Sequence, residues 1–114
     1  MITIILVDDH ALVREGLRRL LQDCPNMEVI GEAGDGHEAL RLTRKLQPQV
    51  VVMDLSMPEL DGIETTKRMT DEGLAVKVLI LTMHANEEYA VRALQAGACG
   101  FIGKGSPSQG DFSK

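Results

Sequence analysis

The sequence contains no tryptophan, one tyrosine and two phenylalanines, so aromatic stacking cannot organise its interior. Because 44% of its 114 residues are apolar, we predict a core built from aliphatic side chains. It shows no signal-peptide pattern and no apolar run of about 18 residues, the length that would span a membrane, so we expect neither a signal peptide nor a membrane span. A chain of this length is predicted to form a single domain.

Basic residues and cysteines are also scarce. Lysine and arginine number 12 against 17 acidic residues, which gives a net charge of −5. Non-specific binding to nucleic acid depends on clustered lysine and arginine, so this balance argues against it. Cys24 and Cys99 are far apart and form no C-x-x-C pattern. We interpret them as reduced thiols of a cytoplasmic protein.

Short apolar runs alternate with segments in which apolar residues recur at helical spacing. The runs predict strands at 1–7, 28–33, 50–53, 76–81 and 100–103. The periodic segments predict helices near 12–21, 39–46, 62–72 and 87–96. We expect Asp35 and Asn86 to cap two of these helices, and Gly73 and Gly97 to end two. Five strands alternating with four helices predict an α/β fold with a parallel sheet.

Polar residues follow the carboxyl ends of the predicted strands, where open α/β sheets bind ligands. They are Asp8 and Asp9, then Asp54, then Thr82, and finally Lys104. Three carboxylates at one sheet edge repel one another, and a hard cation relieves that repulsion. A set of oxygen ligands from Asp9, Asp54 and a carbonyl near Ser56 suits Mg²⁺ better than Zn²⁺.

The same residues predict phosphoryl chemistry. A carboxylate such as Asp54 can attack a phosphoryl group to give an acyl phosphate. Mg²⁺ and Lys104 would offset the charge on the transferring group, while the Thr82 hydroxyl donates a hydrogen bond.

Each of these residues alone has an ordinary interpretation. Asp8 and Asp9 could be N-caps, Asp54 a loop residue and Lys104 a solvated charge. Their coincidence at successive strand ends favours the phosphoryl site. The three histidines have no metal-ligand spacing, and we predict surface positions for His10, His37 and His84.

The segments around these residues resemble the receiver domain of two-component response regulators. The matching stretches are ILVDDH at 5–10, VMDLSMPELDG at 52–62, LILT at 79–82 and AGACGFIGK at 96–104. The Asp-Asp-His start and the pattern at 88–94 are most similar to the NarL/FixJ branch. Members of that branch usually carry a C-terminal helix-turn-helix domain that binds DNA.

The resemblance implies a flavodoxin-like (CheY-like), doubly wound sheet of five parallel strands in the order 2-1-3-4-5. It also implies a phosphoprotein whose partner, a sensor histidine kinase, drives Mg²⁺-dependent phosphorylation of Asp54. This step would switch an output domain that is absent from this chain. In transcription regulation, DNA would be bound only through that output domain. Such a domain supports its own phosphoryl transfer and slow autodephosphorylation, but it is a signalling domain rather than an enzyme.

The resemblance further assigns a role to each residue of the site. Asp9 would bind Mg²⁺ directly, Asp8 through water and Ser56 through its backbone carbonyl. Thr82 would hydrogen-bond the phosphoryl group, and Lys104 would form an ion pair with it. Phe101 would be the aromatic switch residue. Phosphorylation draws the threonine inward in this family, and the aromatic ring follows.

The end of the chain departs from the family pattern. We expect residues 1–104 to form a receiver domain without its last helix, and residues 105–114 to form a flexible or non-native tail. Without a fifth helix, apolar surface would face water, and such surfaces seek partners. Either the chain is cut before the helix, or another chain covers the face as a homodimer or swapped contact. No membrane contact is expected.

Three other interpretations fit parts of the sequence. An aspartate-nucleophile phosphatase or dehalogenase would carry a second aspartate two positions after the first, whereas Asp8 is followed by Asp9 and His10. A flavodoxin-like cofactor binder would need a loop rich in Ser, Thr and Gly after the first strand. A degenerate receiver, acting as an interaction module without switching, remains open because the tail alters the output face.

Overall fold

The fold is an α/β sandwich whose sheet has five parallel strands. The computed structural model describes residues 1–57, 59–82 and 86–103. The strands are β1 (Ile2–Val7), β2 (Met27–Ala33), β3 (Val50–Asp54), β4 (Lys77–Thr82) and β5 (Gly100–Gly103). The helices are α1 (Ala11–Gln22), α2 (Gly36–Leu46), α3 (Gly62–Asp71) and α4 (Glu87–Ala96). The strand order is β2-β1-β3-β4-β5, which confirms the predicted topology.

The helix ends follow from local chemistry. Asp35 caps α2 by accepting a hydrogen bond from the Glu38 N–H at 2.8 Å, and Asn86 caps α4 in the same way. Gly97 ends α4 in the left-handed conformation, with φ of 112°. These features were predicted. The cap of α3 was not: Asp61 accepts from the Glu64 N–H at 2.8 Å.

The two faces of the sheet differ in how completely they are covered. Ile5, Val51, Met53 and Ile80 are fully buried and belong to the cluster that packs with α2, α3 and α4. Their neighbours along the strands point to the opposite face, since side chains alternate in a strand. Helix α1 contacts β1 and β2 and contributes no residue to that cluster, so it covers the opposite face beside these two strands.

The rest of that opposite face is less well buried. We call it the open face, and it consists of Val50, Val52, Leu79, Leu81 and Ile102. The first four are half-buried, and Ile102 is 43% exposed. The predictions of a missing fifth helix and of a tail at 105–114 lie outside the residues that the structure describes. Within the described residues, no helix is long and apolar enough to cross a membrane.

Candidate functional site

Three carboxylates and an imidazole meet at the carboxyl edge of the sheet. We call this group the acidic cluster: Asp8, Asp9, His10 and Asp54, from which one ligand atom each lies within 4.8 Å of the others. The cluster arises because β1 and β3 are adjacent and parallel, with Val7 in register with Met53. The residues that follow both strands therefore emerge side by side.

Burial divides the cluster into an inner and an outer part. Asp8 is 2% exposed and Asp54 is 6% exposed, whereas Asp9 and His10 face solvent. The Asp8 carboxylate accepts a hydrogen bond from the His10 N–H at 2.8 Å. The His10 Nδ1 lies 3.1 Å from one oxygen of Asp8 and 3.1 Å from one of Asp9. Two inner carboxylates at this depth repel each other and favour a bound cation.

The interpretation of Asp8 and Asp9 as helix caps does not hold. The N-cap residue of α1 is His10, and it makes no side-chain cap hydrogen bond. The Asp8 backbone is instead fixed by its N–H, which donates to the Ala33 carbonyl at 3.0 Å, and by its carbonyl, which accepts from Arg14. The polar side chains at the end of β1 are therefore left to face Asp54.

The remaining predicted residues have the following positions. Thr82 is fully buried at the end of β4, one residue beyond Leu81, which is in register with Asp54. Phe101 is half-buried on β5 and packs against the main core cluster. Ser56 is exposed just after Asp54. Lys104 and His84 lie outside the described residues.

The start of α3 is packed tightly against the end of β3. The Gly62 N–H donates to the Leu55 carbonyl at 2.8 Å. A Cβ on Gly62 would lie 2.4 Å from the Asp54 carbonyl oxygen, so a residue without a side chain is required at this point. This contact fixes the backbone that carries Asp54.

A cavity of about 570 Å³ adjoins the acidic cluster. Its lining begins at Asp9 and Ser56 and extends to Tyr89 and Arg92 on α4. Apolar residues from the loop after β3 and from α3 line it as well, namely Leu55, Met57 and Ile63. Asp61 adds a further carboxylate, so the cavity has a mixed lining of polar and apolar side chains.

The donor set fits a hard divalent cation. Three of the four side chains in the cluster offer carboxylate oxygens, the ligands that Mg²⁺ prefers. Two of these carboxylates are buried, so a cation there would be held partly out of water. No cysteine belongs to the cluster, and a zinc site would favour cysteine and histidine.

Sequence reasoning missed several residues of this site. His10 is 68% exposed at its side chain, as a surface residue should be, yet it contacts both neighbouring aspartates. Tyr89 and Arg92 enter the cavity from α4. Their spacing of three residues places them on one side of a helix, but only the packing of α4 shows which side faces the cleft.

Comparisons with known proteins agree with this architecture. Residues 4–110 match the family described as the response regulator receiver domain. The response regulator UvrY of Escherichia coli (strain K12) is 41% identical over 109 residues, which cover 96% of this chain and 50% of that protein. The response regulator GacA of Pseudomonas syringae pv. syringae is 42% identical over 106 residues, covering 93% and 50%. The chain thus spans about half the length of these relatives.

Solved structures give the same result. A two-component response regulator of the LuxR family from an Aurantimonas species superposes with a TM-score of 0.88 at 46% identity, covering 92% of this chain and 75% of that one. The isolated REC domain of RcsB from Salmonella enterica serovar Typhimurium, in the presence of phosphomimetic BeF3−, gives 0.84 at 30% identity. That match covers 94% of this chain and 80% of the other.

Proposed function

Because this chain belongs to the response regulator receiver domain family, we propose that Asp54 accepts a phosphoryl group in a Mg²⁺-dependent signalling switch. The observation that carries this proposal is the cluster of Asp8, Asp9 and Asp54 at one sheet edge. Residues 1–104 would form the receiver. A sensor histidine kinase would be the physiological donor, and DNA would be contacted only through a separate output domain.

The residues of the chain divide the work as follows. Asp54 supplies the attacking carboxylate oxygen, held in place by the contact of Gly62 with its backbone. Asp9 and the Ser56 carbonyl would hold Mg²⁺ directly and Asp8 through water. Bound Mg²⁺ would offset the charge of the transferring phosphoryl group. Thr82 would donate a hydrogen bond to that group, and Lys104 would pair with it.

Switching would pass from Thr82 to Phe101. Thr82 is in register with Gly103 in the adjacent strand, and Phe101 lies on that same strand against the core. Inward movement of the threonine would leave space for the phenylalanine ring. Because phenylalanine has no hydroxyl, packing alone would set the balance between its two positions.

Intact mass spectrometry after incubation with Mg²⁺ and acetyl phosphate tests the acceptor. We expect the wild-type chain to gain one phosphoryl group and Asp54→Asn to gain none. Asp23→Asn, which changes an exposed carboxylate at the end of α1, should behave as the wild type. No gain in the wild type would contradict the proposal and leave an interaction module that does not switch.

We further propose that a second copy of the chain covers the open face. The residues on that face are half-buried or exposed, whereas those on the other face of β3 and β4 are fully buried. A two-fold contact would bury this face against itself.

Light scattering over a range of concentrations tests this contact. We expect the wild type to dimerise and Ile102→Lys to be monomeric, because the charge would be placed within the buried patch. Val91→Lys is the matched control, since Val91 is similarly exposed but lies on α4. A wild-type monomer at high concentration would rule the contact out.

A further inference from the structure

Arg92 differs from the other arginines of the chain in its surroundings. The other six each lie 2.5–3.5 Å from a carboxylate oxygen. Arg92 has no carboxylate partner among the residues that the structure describes, and its guanidinium lies 6.0 Å from the centroid of the Tyr89 ring. Within that part of the chain Arg92 makes no ion pair, although the carboxylates of Asp9 and Asp61 line the same cavity.

Arg92 lies where its charge can contact a molecule bound in the cavity beside the acidic cluster. Arg92 and Tyr89 line the same cavity as Asp9 and Ser56, which belong to the phosphoryl site. A molecule that places its phosphoryl group near Asp54 can therefore extend its remaining part towards α4. The apolar part of the lining, which includes Leu55 and Ile63, would accept a short carbon chain.

We propose that Arg92 selects the phosphoryl donor by the charge of its leaving group and favours small acyl phosphates, whose departing carboxylate it binds. This inference rests on the proposed function of Asp54. Tyr89 would hold the guanidinium through the attraction between a cation and an aromatic face. Arg92 is thus a specificity residue for the reaction at Asp54.

The chemistry of the step explains why the charge matters. A carboxylate oxygen of Asp54 attacks phosphorus, and the bond from phosphorus to the acyl oxygen breaks. The electron pair of that bond leaves on the oxygen, so the products are aspartyl phosphate and a free carboxylate, with no proton or oxidant needed. Guanidinium binds carboxylate through two parallel hydrogen bonds. Phosphoramidate instead releases neutral ammonia, which gains nothing from a cation.

Phosphorylation rates with these two donors provide the test. We compare the wild type, Arg92→Gln and Arg92→Lys by intact mass at saturating Mg²⁺, with acetyl phosphate and with phosphoramidate. Arg92→Gln should lower the ratio of the acetyl phosphate rate to the phosphoramidate rate about three- to fivefold, since exposed ion pairs are weak. Arg92→Lys should lower it less, because the charge is kept.

Arg41→Gln is the matched control, because Arg41 is also an exposed helical arginine but lies on α2 and pairs with Glu38 at 3.2 Å. Its ratio should equal that of the wild type. An equal loss with both donors in Arg92→Gln would indicate a structural effect and overturn the proposal. An unchanged ratio would overturn it as well.

A binding measurement separates this proposal from the function of Asp54. Tyr89 is the only tyrosine and the chain has no tryptophan, so its emission reports on the cavity. We expect acetylphosphonate, which lacks the bond that would break, to change this emission saturably with Mg²⁺ present. Half-saturation should require several-fold more ligand in Arg92→Gln. No change in emission, or equal half-saturation in the wild type and Arg92→Gln, would overturn the proposal even if Asp54 is phosphorylated. A wild type that binds acetylphosphonate but is not phosphorylated would instead contradict the acceptor role of Asp54.

Discussion

Gly62 sets the distance between α3 and the end of β3. The atoms that a Cβ would meet are backbone atoms of Asp54 and Leu55, and backbone atoms cannot rotate away as a side chain can. An alanine there must push α3 from the strand or displace the Asp54 backbone. The position of Asp54 therefore depends on a residue that carries no reactive group.

We expect Gly62→Ala to destabilise the protein by about 1–3 kcal/mol, as overpacking does in a filled interior. Urea unfolding measures this loss. Gly16→Ala is the control, because Gly16 lies within α1 with no atom within 4 Å of an added Cβ. That change should stabilise by roughly 0.5–1 kcal/mol through helix propensity. A Gly62→Ala protein as stable as the wild type would contradict the packing argument.

Residues at strand ends could be predicted from the sequence, and those on helices could not. Asp8 and Asp54 follow uninterrupted apolar runs, and parallel strands must bring such residues to one edge. Arg92 follows no such rule. Its place in the cleft depends on the rotation of α4 about its axis, which tertiary packing sets.

Between elements, α2 and α3 are joined by an ion pair at their C-terminal ends. The Arg44 Nε donates to Glu72 Oε1 at 2.7 Å, and a second nitrogen donates to Oε2 at 2.5 Å. The hydrogen bond from Arg44, more than its charge, lowers the pKa of Glu72 from the ordinary value of 4.5. The pair therefore stabilises the fold above that pH, and its contribution is lost as the pH falls through the lowered folded pKa.

We expect wild type to unfold at a higher urea concentration than Glu72→Gln at pH 7, and this difference to vanish at acid pH, below the lowered pKa of Glu72. The side chains are exposed, so the effect should be small and should weaken with salt. Glu28→Gln is the control: Glu28 is exposed on the edge strand and forms no ion pair among the described residues. A difference that persists at low pH would show that the pair is not its source.

The positions of the strands and helices were predictable because the strands are continuous apolar runs, whereas apolar residues in the helices recur at helical spacing. The order of the strands came from the family resemblance, and the structure confirms it. The incomplete burial of one sheet face could not be quantified in advance. The runs at 50–53 and 76–81 are apolar on both faces, so their sequence does not show which face is less well covered.

For the molecule as a whole, the acidic cluster links stability to cation binding. Asp8 and Asp54 are buried within a few ångströms of each other, and a bound cation reduces the repulsion between carboxylates at such short range. Binding to the folded state alone stabilises it by mass action.

We expect Mg²⁺ at ten times its dissociation constant to stabilise the wild type by about 1.4 kcal/mol, which raises the thermal midpoint by about 5 °C. Mg²⁺ should raise the midpoint of Asp54→Asn less than that of the wild type, because one carboxylate ligand of the site is gone. Thermal unfolding with and without Mg²⁺ measures both effects, with Asp23→Asn as control. Equal Mg²⁺ increments in wild type and Asp54→Asn would contradict a site that includes Asp54.

The central position of β1 has a consequence for the synthesis of the protein. The chain makes Asp8 and Asp9 first, builds β2 on one side of them, and only then supplies Asp54 from β3 on the other. A nascent or partly unfolded chain, in which β1 and β3 are not yet paired, therefore cannot assemble the acidic cluster. Under the proposed function, reactivity towards a phosphoryl donor would report that the central strands of a molecule are in place.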